Sequence, residues 1–175
     1  MKMFHVEPMS VRRMLTGLAT IVLLLTTSCA TMRDRDTIPD YVIREGGKNV
    51  IGSAPLNAFI FEDTRQDVYF QDFLTYRFQK NNMAEKVFEV DISGSRFRIL
   101  LYDAAEFEKY FRTSDYIPTV TVTAGELNAG KSRFVALSMV DASNQDCLSE
   151  NSLWLATATQ YLKKLKDDYL SNARS

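Results

Sequence analysis

Apolar and polar residues alternate most regularly over residues 87–102, and this alternation predicts a β-hairpin. A two-residue turn at residues 93–94 places apolar residues opposite each other on one face and oppositely charged residues opposite each other on the second face. The apolar pairs are Phe88 with Ile99 and Val90 with Phe97, and the charged pairs are Glu89 with Arg98 and Asp91 with Arg96. A shift by one residue would place charges opposite apolar side chains, so both faces favour one register.

Three further segments carry apolar residues at helical spacing. Thr64 and Asp67 have the spacing of a capping box, which predicts that a helix with a broad aromatic face begins there. Asp103 and Glu106 repeat this spacing before a short helix. A longer amphipathic helix is predicted over residues 148–171. Its apolar residues at intervals of seven are Leu148, Leu155, Leu162 and Tyr169.

The remaining apolar stretches predict strands. Residues 56–62 have the composition of a strand, and a short strand is predicted at residues 41–43. A strand at residues 119–123 is predicted to pair with one at residues 133–140. This order predicts an α+β fold, a single domain with a mainly antiparallel sheet of four to five strands and two to three helices. The first six elements follow the order of a ferredoxin-like split unit.

The N-terminal segment has the order of residues that is typical of a signal peptide. Arg12 and Arg13 precede an apolar run over residues 14–25, and residues 26–28 are small and polar. The run is shorter than the roughly 20 apolar residues that a helix needs to cross a bilayer, so the pattern favours a signal peptide over a transmembrane helix. Met9 is an alternative start and gives a more ordinary basic region.

The end of this segment, LTTSC at residues 25–29, resembles the lipobox of bacterial lipoproteins, with the leucine four residues before the cysteine. The resemblance implies that the Cys29 thiol takes a diacylglycerol, that cleavage precedes Cys29, and that its new amine is acylated. Ala30 after the cysteine resembles lipoproteins sent onward to the outer membrane of two-membrane bacteria. The alternative is an ordinary signal peptide cut after Ser28 or Ala30, which leaves a soluble secreted protein.

The domain organisation follows from this assignment. We predict a signal peptide at residues 1–28, a lipidated tether at residues 29–55 and an α+β globular domain at residues 56–175. The predicted tether is polar and rich in glycine and proline, which are typical of turns and linkers. Several acyl chains on Cys29 would hold the protein durably on a membrane, since each buried methylene contributes about 0.8 kcal/mol.

Removal of the leader excludes several kinds of chemistry. The single histidine, His5, lies in the leader, so the mature chain has no histidine for a catalytic triad, a zinc site or a pH switch. The leader contributes +2 to the formal net charge of −1, which leaves −3 on residues 29–175 and no basic block for nucleic acid. If Cys29 is acylated, Cys147 is the remaining thiol, and we predict that it is a buried apolar residue.

Residues 125–132 match the phosphate-binding pattern GxxxxGK[ST]. Phosphate binding by this motif requires a helix that starts at the lysine, so that its backbone amides meet the phosphates. Residues 133–140 have the composition of a strand instead. We therefore predict no nucleotide binding despite the match.

Other polar groupings do not form a recognisable site. Residues 141–146 resemble the start of a calcium loop, but the glycine required at the sixth position is Asp146, and turn chemistry explains the segment better. The carboxylates of Glu106, Glu108 and Asp115 are candidates for acid/base chemistry, although their spacing brings no two together. We predict no catalytic, cofactor-binding or metal-binding residue, and Cys29 is the one predicted site of modification.

Two functional hypotheses follow. The first is a lipid-anchored, non-enzymatic protein of the bacterial cell envelope that binds or positions a protein partner. The second is a small envelope hydrolase that uses carboxylates or a Ser-Lys pair. Two acidic side chains in a concave pocket would favour the hydrolase. An exposed apolar patch on a convex surface would favour the binding protein.

Overall fold

The computed structural model describes residues 35–50, 54–65, 68–119 and 133–171. These residues form a five-stranded antiparallel sheet in the order β2-β3-β7-β5-β4 and a two-stranded parallel sheet of β1 and β6. The strands are β1 (Asp36–Thr37), β2 (Val42–Arg44), β3 (Ala58–Glu62), β4 (Val87–Ile92), β5 (Ser95–Leu101), β6 (Tyr116–Ile117) and β7 (Phe134–Asp141). The helices are α1 (Phe70–Arg77), α2 (Ala104–Tyr110) and α3 (Leu155–Ser171). The α+β class, the antiparallel sheet and the number of helices are confirmed.

The two central strands, β3 and β7, are apolar on both sides because the sheet is covered on both faces. Phe59 and Phe61 pack on one face of β3, while Ala58 and Ile60 pack on the opposite face. All five residues of β3 are buried, as are the first seven of β7. Strands covered on both faces lose the alternation of apolar and polar residues.

Helices α1 and α3 cover one face of the sheet, which we call the α3 face. Leu162, Leu165 and Tyr169 of α3 are fully buried there. Phe70 of α1 packs edge-on against Tyr169, with ring centroids 4.9 Å apart. Burying a side chain of this size contributes about 1.5–3 kcal/mol, so this layer contributes strongly to stability.

Helix α2 and the β1–β6 pair cover the opposite face, which we call the α2 face. Phe107 of α2 packs against Tyr116 of β6 and Phe134 of β7. The predicted capping box is confirmed, since the Asp103 carboxylate accepts a hydrogen bond from Glu106 N and the Glu106 carboxylate accepts one from Asp103 N. Among the helices in the described ranges, none combines the length and apolar character needed to cross a membrane.

The hairpin of β4 and β5 has the predicted register. Val90 pairs with Phe97 and Asp91 pairs with Arg96, and the other predicted pairs are also present. Ser93 and Gly94 form the turn with φ angles of 54° and 81°. This left-handed backbone suits glycine and matches the twist of a two-residue hairpin.

Two helices start later than their sequence patterns predict. Helix α1 begins at Phe70, and its N-cap is Tyr69 without a side-chain cap, so the prediction that Thr64 opens this helix is wrong. Asp67 lies outside the described residues. Helix α3 begins at Leu155 rather than Leu148, although Leu148 is buried in the same core. The described residues just before these helices have a non-helical backbone, and apolar periodicity alone does not distinguish such residues from a helix.

The folded unit also begins earlier than residue 56. Strand β1 pairs with β6, and β2 adds to the edge of the five-stranded sheet through β3. Ile38, between these two strands, is buried in the core on the α2 face. The predicted short strand at residues 41–43 is therefore present, shifted by one residue, but it belongs to the sheet. The described residues of the predicted tether from Asp36 onward, 36–50 and 54–55, therefore belong to the domain.

The partner of β7 differs from the prediction. Strand β7 pairs with β3 on one side and with β5 on the other. The strand predicted at residues 119–123 lies outside the described residues except for Thr119, and the described strand nearest to it is β6, before Pro118. The insertion of β7 between β3 and β5 makes every neighbouring pair antiparallel, whereas a ferredoxin-like sheet contains a parallel pair. The element order is ferredoxin-like, and the sheet order is not.

Candidate binding groove

A concave surface of about 930 Å³ lies between the β2–β3 connection and the β7–α3 connection. Leu56 and Asn57 form one wall, and residues 149–154 form the opposite wall. A second concavity of about 680 Å³ continues between β2 and the start of α3, where Tyr41 and Ile43 face Ala156 and Thr159. Both volumes lie in the range of ligand-binding pockets, which is about 300–1,000 Å³. We call the two together the groove.

Leu153 joins the two parts of the groove. Its side chain lines both concavities and is 97% exposed, more than any other large apolar residue in the part of the chain that the structure describes. The neighbouring Trp154 is partly buried, and its ring packs edge-on against Phe97 with centroids 5.0 Å apart. Trp154 therefore anchors the segment to the core, and Leu153 points away from it.

A chain of hydrogen bonds fixes the wall behind the groove. Lys48 N donates to Tyr102 Oη over 2.9 Å, and Tyr102 Oη lies 2.8 Å from Ser138 Oγ. Ser138 Oγ donates in turn to Asn57 O over 2.7 Å. Since the Ser138 proton goes to Asn57, the Tyr102 hydroxyl donates to Ser138. The three hydrogen bonds thus run in one direction, and they link the β2–β3 connection, the end of β5, the middle of β7 and the groove wall.

Gly47 permits the close approach that this chain requires. A Cβ atom at this position would lie 2.3 Å from Tyr102 Oη and 2.8 Å from Leu56 O. Both distances are shorter than van der Waals contact, so a larger residue would push the tyrosine or the backbone away. Burial raises the pKa of Tyr102, and the hydrogen bonds that its hydroxyl makes with Ser138 and Lys48 oppose this rise only in part.

Two of the four carboxylates that line the groove hold the local backbone. Asp141 Oδ1 accepts hydrogen bonds from Ser143 N and Gln145 N, which is the turn chemistry expected from the sequence. Asp146 accepts from Asn57 N over 2.7 Å and Leu148 N over 2.8 Å, and so joins the two walls. The other two carboxylates belong to Glu45 and Glu150, which are exposed. The first concavity therefore presents negative charge without positive charge on its lining, whereas Lys163 lines the second.

An ion-pair cluster closes the far end of the groove, near Lys163. Asp40 pairs with both Lys163 and Lys166 of α3. Burial would raise the pKa of Asp40, but hydrogen bonds from the two lysines outweigh it and lower this pKa. The hydrogen bond to Asp40 raises the pKa of Lys163. These contacts attach the β1–β2 connection to α3 and hold the position of β2 beside it.

A third, smaller concavity of about 460 Å³ lies beside α1. Tyr76 is 88% exposed and Met83 is 62% exposed at this site. Its lining also includes Lys80 and Asp72, so charges of both signs border it. This α1 surface is a smaller alternative to the groove.

The structure places the predicted polar residues in structural roles. Cys29 and residues 125–132 lie outside the described residues. The prediction that a strand follows residues 125–132 is confirmed, since β7 begins at Phe134. Glu106 caps α2 and pairs with Lys48, Glu108 accepts from Thr113 N, and Asp115 pairs with Arg112.

Cys147 is fully buried, as predicted. Burial, together with the nearby carboxylates of Asp141 and Asp146, raises the pKa of its thiol to about 12. A thiol is reactive as the thiolate, so this cysteine is chemically inert in the folded protein.

The described residues do not assemble a catalytic pair from serine and lysine around Ser138. Ser138 is fully buried, and its hydroxyl already takes part in the chain of hydrogen bonds. The ammonium group of Lys48 bonds to Leu101 O and Glu106 instead. Within the described ranges, no cluster of three or more acidic, cysteine or histidine side chains could hold a metal ion.

Sequence analysis missed the groove because its lining comes from the β2–β3 and β7–α3 connections, from β2 and from α3, which no local pattern brings together. One signal was available in retrospect. Leu153 is an apolar residue outside the heptad positions of Leu148 and Leu155, and an apolar residue off the buried stripe marks an exposed position. No family model, no curated protein and no solved structure matches this chain.

Proposed function

We propose that this protein is a lipid-anchored component of the bacterial cell envelope, at the outer membrane, that binds an extended segment of a partner protein in the groove. The observation that carries the proposal is Leu153, which stands 97% exposed where the two concavities meet. A leucine that is this exposed within the described chain can offer an apolar contact to a partner. The lipid anchor rests on the leader and on the resemblance of residues 25–29 to a lipobox.

The sheet edge beside the groove supports an extended partner. Strand β2 pairs with β3 on one side, and no strand of the described chain pairs with its outer side. An exposed strand edge offers backbone hydrogen bonds to an added strand, and side-chain pockets beside it give specificity. Tyr41, just before β2, and Ile43 of β2 pack on the α3 face of the sheet and line the second concavity. A segment lying along β2 would therefore place alternate side chains in the groove.

The charge of the groove indicates the kind of segment that fits. Glu45, Glu150 and Asp146 line the end nearest the β2–β3 connection. A partner segment with lysine or arginine near an apolar residue would complement this lining and Leu153. Charge complementarity of this kind contributes chiefly to specificity and to the rate of association.

The test is site-specific photocrosslinking in intact cells, with the crosslinking residue at position 153. We expect one reproducible envelope protein to be captured there. The substitution Leu153→Asp should abolish its copurification with the protein, because a charge in the contact is costly to desolvate. The stability of the fold should change by less than about 0.5 kcal/mol, since the side chain is exposed. Tyr76→Asp, on the α1 surface, is the matched control.

Each outcome has a definite meaning. Loss of the partner with Leu153→Asp alone supports the groove, and loss with Tyr76→Asp alone moves the binding site to the α1 surface. If no partner is captured at position 153, the binding hypothesis is wrong. Independently, Cys29→Ala should move the protein from the membrane to the soluble fraction, and its retention in the membrane would refute the lipid anchor.

The hydrolase remains a second candidate because two exposed carboxylates, Glu45 and Glu150, lie in one concave surface. Pairs of carboxylates separated by a substrate are the machinery of glycoside hydrolysis. Glu45→Gln and Glu150→Gln would each abolish such activity on envelope glycans. They would weaken binding of a basic protein segment only modestly, so the two hypotheses separate by the size of the effect.

A further inference from the structure

Few residues separate Cys29 from the folded domain in the sequence, because β1 begins at Asp36. Residues 30–35 are all that separates the two. A polypeptide spans at most about 3.6 Å per residue, so the start of β1 lies no more than about 25 Å from Cys29, whatever conformation the intervening residues take. The predicted tether to residue 55 would have allowed a reach several times longer.

This reach is less than the width of the domain. A folded unit of about 140 residues has a radius of gyration near 14 Å, which corresponds to a diameter of roughly 35–40 Å. A point on its surface that is held within about 25 Å of the bilayer cannot lie on the side farthest from the bilayer. If Cys29 is acylated, this limit on the reach restrains the orientation of the domain relative to the bilayer.

The surface at the start of β1 carries exposed arginine side chains, which suit lipid headgroups, beside the carboxylates of Asp36 and Asp115. Strands β1 and β6 are parallel, so Arg35 and the turn at Thr113–Asp115 lie at the same end of this pair. Arg35 is exposed, and Arg112 before the turn has a side chain that is 54% exposed. Ile117, 44% exposed, lies further along β6. Arginine side chains near a bilayer each contribute on the order of 1 kcal/mol of attraction to anionic lipid.

We infer that this end of the β1–β6 pair, carrying Arg35 and Arg112, lies against the headgroup surface of the membrane. The inference rests on the proposed acylation of Cys29. The α2 face of the sheet is then turned toward the bilayer, and the α3 face, with the groove and α1, is turned away from it. A partner would thus reach the groove from the aqueous side without competing with lipid.

The test is energy transfer between the protein and labelled lipids. A donor dye is attached to Ser114→Cys, in the turn before β6, or to Tyr76→Cys on α1. Two layers of roughly 10 Å each separate these two positions across the sheet. Cys147 is buried and takes no dye. The acylated protein is reconstituted in vesicles of phosphatidylethanolamine and phosphatidylglycerol that contain a headgroup-labelled acceptor. A flexible spacer of about 20 residues between Asp34 and Arg35, whose mean span roughly equals the original limit of about 25 Å, provides the control.

We expect higher energy transfer from position 114 than from position 76, and we expect the spacer to reduce transfer from position 114. Equal transfer from the two positions, or a spacer without effect, would overturn the inference while the anchor stands. Failure of the protein to float with the vesicles, with transfer absent at both positions, would instead refute the acylation of Cys29. Arg35→Glu combined with Arg112→Glu should lower transfer from position 114, because like charges repel anionic headgroups.

Discussion

The hydrogen-bond chain through Tyr102 makes a quantitative prediction. In Tyr102→Phe, Lys48 N loses its acceptor and Ser138 Oγ loses a donor. In Ser138→Ala, Asn57 O loses its donor and the buried Tyr102 hydroxyl loses its acceptor. Leaving a buried polar group unsatisfied costs about 1–3 kcal/mol, so each variant should lower the free energy of unfolding by this amount. Because both substitutions interrupt one chain, the double variant should cost less than their sum by about 0.5–3 kcal/mol.

Urea denaturation followed by the fluorescence of the single tryptophan, Trp154, measures these differences. Tyr76→Phe is the control, since that side chain is 88% exposed and its hydroxyl should contribute less than about 0.5 kcal/mol. Full additivity of Tyr102→Phe and Ser138→Ala would refute the view that one continuous chain supports the groove wall. A decrease in the free energy of unfolding of Tyr102→Phe no larger than that of Tyr76→Phe would also refute it.

Three further outcomes follow from the structure. Gly47→Ala should lower the free energy of unfolding by about 1–3 kcal/mol, because its Cβ would overlap Tyr102 Oη and Leu56 O, and an unchanged denaturation midpoint would contradict this. At pH 8 the native Cys147 thiol should resist alkylation, since a pKa of about 12 leaves a thiolate fraction on the order of one part in ten thousand, and rapid alkylation without unfolding would be the opposite result. Burial raises the pKa of Tyr102 and Tyr116, so their contribution to folding stability is complete below pH 10 and declines as the pH rises through their folded-state pKa values. Between pH 8 and 12, the melting temperature of a Tyr102→Phe variant should therefore decline less than that of the unchanged protein.

The accuracy of the sequence predictions depended on how local each signal was. The β4–β5 hairpin was predicted to the residue because two complementary faces and a Ser-Gly turn all lie within residues 87–102. The capping box at Asp103 was likewise confirmed by contacts three residues apart. The similar spacing at Thr64 misled, since α1 begins at the buried Phe70 without a side-chain cap. A capping pattern constrains a helix start only when a helix follows directly.

Long-range pairings left no local signal. Strands β1 and β6 contribute two residues each and join parts of the chain about 80 residues apart, so neither could be distinguished from loop by composition. The position of β7 in the middle of the sheet is also non-local, because its apolar run fits any strand that is buried on both faces. The groove depends on these pairings, and for that reason its residues could not be assembled from the sequence.

The central position of β7 also determines the order in which the chain can fold. Strands β3 and β5 do not pair with each other, and each pairs with β7, which ends at Asp141. During synthesis from the N-terminus, most of the chain is therefore made before the strand that joins the two halves of the sheet is available. Contacts over such long sequence separations form slowly. The five-stranded sheet can therefore be completed only after the chain has been made as far as Asp141.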